Sequence, residues 1–190
     1  QGVFDSQDSM SLTDKVFDTQ YDNKVDRITG IDCATGNTVT DGQCASYINA
    51  GETTVKGYEM SAKYRRNNMR LNAGYAHAKS DTEQGYQLNK DSGDQLNLGF
   101  NYDINDKFSL GSAIRHVKGL TRRTSATAVA ELPSFTTYDV CGSYRPSALP
   151  QLIVDACVYK LTDAYYYEHV SNTGDKAMGR NVKVALSYQF

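Results

Sequence analysis

The segment GRNVKVALSYQF alternates without a break. Val182, Val184, Leu186, Tyr188 and Phe190 fall on one side, and Asn181, Lys183, Ala185, Ser187 and Gln189 on the other. Side chains along a β-strand alternate with a period of two, so this stretch predicts a strand with one apolar and one polar face. The same pattern recurs upstream and predicts eight strands in all. The first lies within Leu12 to Ile28. The second is TTVKGYEMSAKYRR, with Tyr58, Met60, Ala62 and Tyr64 opposite Glu59, Ser61, Lys63 and Arg65. The third is MRLNAGYAHA. The fourth, QLNLGFNYDI, sets Leu96, Leu98, Phe100, Tyr102 and Ile104 against Gln95, Asn97, Gly99, Asn101 and Asp103. FSLGSAIRHV, FTTYDVCGSY and QLIVDACVY precede the terminal strand.

The connections sort into two kinds that alternate strictly. Asn67-Asn68, INDK and RPSALP are short, whereas residues 29–52, 79–94, 118–134 and 162–179 are long and polar. In a meander this puts every tight turn at one end and every long loop at the other. A transmembrane β-barrel has that asymmetry, and an ordinary β-sandwich has no reason for it. The faces agree. One is apolar, with tyrosines near strand ends (Tyr58, Tyr64, Tyr75, Tyr102, Tyr144, Tyr188), as an aromatic girdle requires. The other carries Asn, Ser, Gly and Gln with scattered charge, the chemistry of a wet lumen. The expected fold class is therefore all-β, an antiparallel transmembrane meander barrel with about eight strands. The competing reading is a soluble sheet with its apolar face on a packed core.

Composition changes this picture little. The 190 residues form one β-barrel segment, residues 1–190, and a formal net charge of -2 gives no pull toward nucleic acid. No apolar run is long enough for a membrane helix, which leaves strands untouched because their hydropathy averages out. The opening QGVFDSQDSM has neither a basic start nor an apolar stretch, so a mature chain, a fragment or a cytosolic protein is expected.

Four cysteines suit an oxidising compartment. Cys33 and Cys44 flank a run of turn formers, and a disulfide there would stiffen the first long loop by roughly 2–3 kcal/mol. Zinc would need two further ligands, and the neighbouring sequence offers none. Cys141 and Cys157 fall opposite each other when the hairpin folds about Leu149, on the polar face with Asp139, Ser143 and Asp155. That permits a cross-strand disulfide where the pair is not hydrogen-bonded.

No catalytic motif is present, and Glu59 and Asp139 look like isolated carboxylates, so an enzyme is not expected. His77 and His116 end strands. His169 follows Tyr165, Tyr166, Tyr167 and Glu168 in the last long loop. An imidazole or phenolate can ligate haem iron and aromatic rings can stack on a porphyrin. The alternative is a tyrosine-rich loop whose rings pack on neighbouring loops.

These residues also carry a resemblance. SYINAGETTVKGYEMSAKYRRNNMRLNAGYAHAKSD is similar to a late barrel segment of TonB-dependent outer-membrane receptors. LPSFTTYDVCGSYRP, LIVDACVYKLTDAYY and GRNVKVALSYQF resemble their closing strands, most closely in the branch that takes up haem, haemoglobin, transferrin or lactoferrin iron. It extends from about Val16 to Phe190 and departs at Lys160-Leu161-Thr162-Asp163, where the family reads an N-L-F-D-like stretch. The resemblance implies the C-terminal third of a barrel of about 22 strands, with the plug domain absent from this sequence. It implies Tyr188 and Phe190 as the signal read by the barrel assembly machinery. It further implies a bacterial outer-membrane location with lipid around the wall, the rest of the barrel and plug as partners, and TonB acting through the plug. The transported ligand is then haem, or iron from a host carrier protein, with no intrinsic cofactor. A siderophore or other metal complex is the alternative ligand, and a standalone eight-stranded structural or adhesin barrel the alternative architecture. The histidine and motif of the haem branch lie upstream of the part resembled here.

Overall fold

The computed structural model describes residues 8–23, 25–37, 43–49, 51–82, 92–123, 129–170 and 176–189. Every regular element among them is a strand. In chain order these are β1 (Ser9–Tyr21), β2 (Val25–Ile31), β3 (Cys44–Asn49), β4 (Thr53–Arg66), β5 (Met69–Thr82), β6 (Gln95–Asp103), β7 (Phe108–Val117), β8 (Leu120–Arg123), β9 (Val129–Leu132), β10 (Phe135–Tyr144), β11 (Leu152–Tyr159) and β12 (Asn181–Tyr188). Eight of them form one antiparallel sheet in the order β1-β4-β5-β6-β7-β10-β11-β12. The other four make two separate hairpins, β2–β3 and β8–β9.

The sheet is a pure meander, because each hairpin sits inside a long connection and leaves the sheet order undisturbed. Sequence periodicity places seven of the eight wall strands within a few residues. The first differs: it ends at Tyr21, and Val25–Ile31 belongs to the β2–β3 hairpin instead. Asn23 breaks the run by taking a left-handed backbone, φ 54°, which asparagine tolerates better than most residues. At the other end the turns are tight. Asn67 also takes a positive φ of 46°. Asn105 Oδ1 accepts hydrogen bonds from the Lys107 and Phe108 amides at 2.9 and 3.0 Å, a side chain closing its own turn.

The register separates two chemistries by one residue. Leu12, Ala62, Ala73, Leu98, Ile114 and Tyr138 are consecutive partners across six strands. The next row reads Thr13, Ser61, Gly74, Asn97, Arg115 and Thr137. A one-residue slip in any strand would move its apolar set to the polar side, so the pattern itself enforces the register. The apolar face is uncovered: Leu12 is 68% exposed and Val184 62%. Among the described residues only Val117, Phe135 and Tyr166 form a buried apolar cluster, and it lies at the long-loop end rather than under the sheet. A soluble sheet would have to bury such a face, whereas lipid can cover it and leave every ladder hydrogen bond within the wall. Aromatic rings mark both borders of the belt. Tyr58 stacks on Tyr75 at 5.8 Å towards the long loops, and Phe108 on Tyr144 at 4.5 Å towards the tight turns.

Both expected disulfides are formed. Cys33–Cys44 closes the tip of β2–β3, and Cys141–Cys157 joins β10 to β11. The second pair is directly in register, with Ser143 opposite Asp155 beside it and a Cα–Cα distance of 4.1 Å, that of a non-hydrogen-bonded pair.

Candidate functional site at the long-loop end

The connection between β11 and β12 folds back over the polar face of the wall. Its path begins with Lys160, whose positive φ of 53° turns the chain. The Lys160 amide then donates to Asp139 Oδ1 at 2.8 Å, and the Leu161 amide to the Tyr138 carbonyl at 2.8 Å. Asp139 is thus no isolated carboxylate, because it receives the start of this loop. The partner of Glu59 is Lys15 at 3.8 Å, an exposed pair of little energetic weight.

Beyond that anchor the loop buries a ring. Tyr166 stacks on Phe135 at 4.1 Å, with Val117 completing the cluster and Lys160 Nζ 5.1 Å from the Tyr166 ring centre. Arg115 reaches the cluster from β7, 5.2 Å over Phe135, and donates two hydrogen bonds to the Glu168 carboxylate at 2.8 and 3.0 Å. Burial pushes the Glu168 carboxyl up, but the bonds from Arg115 outweigh it and hold the group below the ordinary carboxylate range. Such a fork-to-fork pair fixes geometry as well as charge.

The sequence-derived candidates divide here into two sets. Tyr166 and His169 point inwards and are buried. Both nitrogens of His169 are occupied: Nδ1 faces the Ser92 carbonyl at 2.9 Å and Nε2 the Pro133 carbonyl at 2.9 Å. Tyr165 and Tyr167 point outwards with their hydroxyls in hydrogen-bond contact, and Lys176 Nζ sits 4.4 Å from the Tyr165 ring centre. Tyr167 bridges to Lys176 through its backbone, so the pair rides on a short antiparallel contact. Tyr188 closes β12, while Phe190 lies outside the described residues.

Beneath the loop is a hollow of about 590 Å³ with a mixed lining, Asn97, Asn101, Arg115, Asp139 and Glu168 together with Leu98, Ala113, Ile114 and Tyr166. A second polar group sits on the outer rim. His77 Nδ1 meets Asp94 Oδ1 at 2.5 Å, its ring 5.2 Å from Tyr58, and Lys118 approaches Asp94 at 3.6 Å. Burial raises the Asp94 carboxyl, and the hydrogen bonds from His77 and Tyr75 more than reverse this, leaving it below the ordinary range. Among the described residues no three His, Cys, Asp or Glu side chains converge on a metal position. Sequence reasoning passed over Arg115, Phe135 and Val117. The Arg115–Glu168 partners are 53 residues apart, and neither carries a local signal.

Residues 3–161 match a family model described as "TonB dependent receptor-like, beta-barrel". A search of curated proteins returns no match. Several solved structures share the fold. The FrpB iron transporter from Neisseria meningitidis (F3-3 variant) is 19% identical with a TM-score of 0.74, over 95% of this chain and 29% of that one. The copper transporter OprC is 17% identical with a TM-score of 0.75, over 95% of this chain and 29% of its own. The ferripyoverdine receptor of Pseudomonas aeruginosa, solved bound to ferripyoverdine, is 17% identical with a TM-score of 0.70, over 95% and 25%. The chain spans less than a third of the length of each of these proteins.

Proposed function

The chain belongs to the TonB-dependent receptor β-barrel family, and from that premise we propose that it is barrel wall and external loop from an outer-membrane receptor that imports an iron complex. One observation carries the reading: an eight-stranded meander whose apolar face lies bare, with all tight turns at one end and all long loops at the other. That wall suits a lipid exterior and a wet interior. The long loops then face outwards and the tight turns face the periplasm. Ligand capture falls to the loops, and TonB acts through the receptor's plug. The protein carries solute and does no covalent chemistry.

For the ligand, the exposed Tyr165–Tyr167 pair with Lys176 supplies flat aromatic surface, two phenol oxygens and a cation. That set suits an anionic aromatic iron complex, and haem is one such complex. Since His169 has both nitrogens engaged, iron ligation in a haem complex would fall to a phenol oxygen. A siderophore reading is favoured by the relatives, whose names cite iron, copper and ferripyoverdine. Delivery from a haem- or iron-carrying host protein is a further step of the same proposal.

Titrating the detergent-purified receptor with haem and with a ferric catecholate complex separates these readings. A Soret shift lost in a Tyr165→Phe/Tyr167→Phe double variant supports haem. Quenching by the ferric complex alone supports the siderophore. Binding of neither, by a folded receptor, would remove the iron-complex proposal.

A further inference from the structure

Arg115 donates both arms of its guanidinium to the Glu168 carboxylate, and each side chain of the pair is 33% exposed. Water and small solutes therefore reach it. The pair stands at the hollow beneath the β11–β12 connection, whose volume of about 590 Å³ falls within the range of small-molecule sites. We propose that this hollow is a binding site for an iron complex that carries a free carboxylate, and that Glu168 holds the Arg115 fork as a built-in stand-in until that carboxylate displaces it. The inference rests on the import of an anionic iron complex and narrows its chemical class.

A guanidinium and a carboxylate match through two parallel hydrogen bonds, so Arg115 selects a carboxylate over a lone oxygen. Lys160 adds a second positive charge to the lining, its Nζ donating to the Met178 carbonyl at 2.7 Å. Of the two acids on the lining, Asp139 is committed to the Lys160 amide, which leaves Glu168 as the exchangeable one. Asn72 and Asn101 lie flat against the wall because glycines stand opposite them in register. A Cβ on Gly99 would strike the Asn72 amide, and one on Gly111 would fall 2.8 Å from Asn101 Oδ1. The flattened amides keep the hollow open and offer N–H donors to the oxygens of a chelate.

Release of Glu168 does not undo the connection. The Lys160 amide stays on Asp139 and Tyr166 stays on Phe135, so the loop keeps two anchors while the carboxylate swings away. One carboxylate replaces another on the fork, and the guanidinium is never left bare in the hollow. Tyr167 is the chain neighbour of Glu168, so the exchange also shifts the outward Tyr165–Tyr167 pair and couples the outer aromatic surface to the inner site. Glu168 thereby sets a threshold. A ligand must out-compete the internal carboxylate before it enters, and a complex without a carboxylate does not.

Equilibrium binding to the detergent-purified receptor tests this with haem, haem dimethyl ester, ferric citrate and a ferric tris-catecholate. Soret absorbance reads the first two, and retained radioactive iron the others. Wild type should prefer haem to its ester, or ferric citrate to the tris-catecholate, by about tenfold, the weight of one charge-assisted hydrogen bond. The first preference identifies a porphyrin acid as the source of the carboxylate, the second a carboxylate chelate. Arg115→Gln should weaken the preferred probe by about tenfold, and Arg115→Lys, which keeps the charge but not the fork, should restore only part. Glu168→Gln should tighten the same probe by about fivefold, because the competitor is gone. A pair that merely ties the loop down would lose affinity in both variants, so the opposite signs are decisive. Heat-modifiability on gels shows which variants are folded; where one is not, the wild-type preference for the acid probe decides. Probes bound without regard to the carboxylate, or shifted the same way or not at all by Arg115→Gln and Glu168→Gln, would overturn this site and leave the import of an iron complex standing. Binding of no probe by the folded receptor would remove both.

Discussion

At the scale of single residues, one glycine and one ring show how closely this chain is fitted. A Cβ added to Gly57 would fall 2.2 Å from the His77 carbonyl oxygen and 2.6 Å from the Phe17 ring. Gly57→Ala is expected to cost about 1–3 kcal/mol, read as a lower urea midpoint for the refolded barrel. Phe135 is buried between Tyr166, His169 and Arg115. Phe135→Ala should cost about 3 kcal/mol, concentrated in the β11–β12 connection. Limited proteolysis would then cut residues 160–180 while the wall stays resistant. The loop tyrosines were legible as a cluster, since Tyr165, Tyr166 and Tyr167 are adjacent in sequence. Which of them faces inwards was not, because the loop lacks a regular period and its path is set by Asp139, Arg115 and Phe135, all on other strands.

At the scale of elements, the two faces of a strand should respond differently to the same charge. Leu98 lies mid-strand on the bare apolar face and Asn97 on the polar one. Leu98→Arg is expected to destabilise a folded barrel in lipid by about 2–4 kcal/mol, and Asn97→Arg by far less. Equal effects in denaturant titrations from liposomes would contradict a lipid-facing belt. The β10–β11 hairpin carries the Cys141–Cys157 bond across a separation of 16 residues. Replacing both cysteines by serine should cost roughly 3 kcal/mol, seen as an earlier unfolding transition that reductant no longer moves. The β11–β12 connection has its own pH response. Glu168 titrates below the ordinary carboxylate range when paired to Arg115, so the docking it supplies is present above that range. It is lost as pH falls through the lowered value. Acid should therefore release residues 160–170 to exchange, and Glu168→Gln should abolish that acid-side transition.

At the scale of the whole molecule, the sheet order leaves β1 and β12 as its two edges rather than as partners. Among the described residues these two strands do not pair with each other. The intact receptor should need detergent for extraction and should run faster on gels before heating than after; a protein soluble without detergent would refute the barrel. The number and direction of the wall strands and the apolar belt were determined by the sequence alone, which also favoured the Cys33–Cys44 pairing and permitted Cys141–Cys157. They depend on a period of two, on turn chemistry and on arithmetic about Leu149, all of which act between residues close in the chain or symmetric about a turn. The fate of the long connections was decided only by the tertiary structure: the β2–β3 and β8–β9 hairpins, the burial of Tyr166, the Arg115–Glu168 pair and the two carbonyls on His169. Each joins groups dozens of residues apart that meet because the meander has first brought the loop ends together, and no local pattern encodes which polar groups will face one another there.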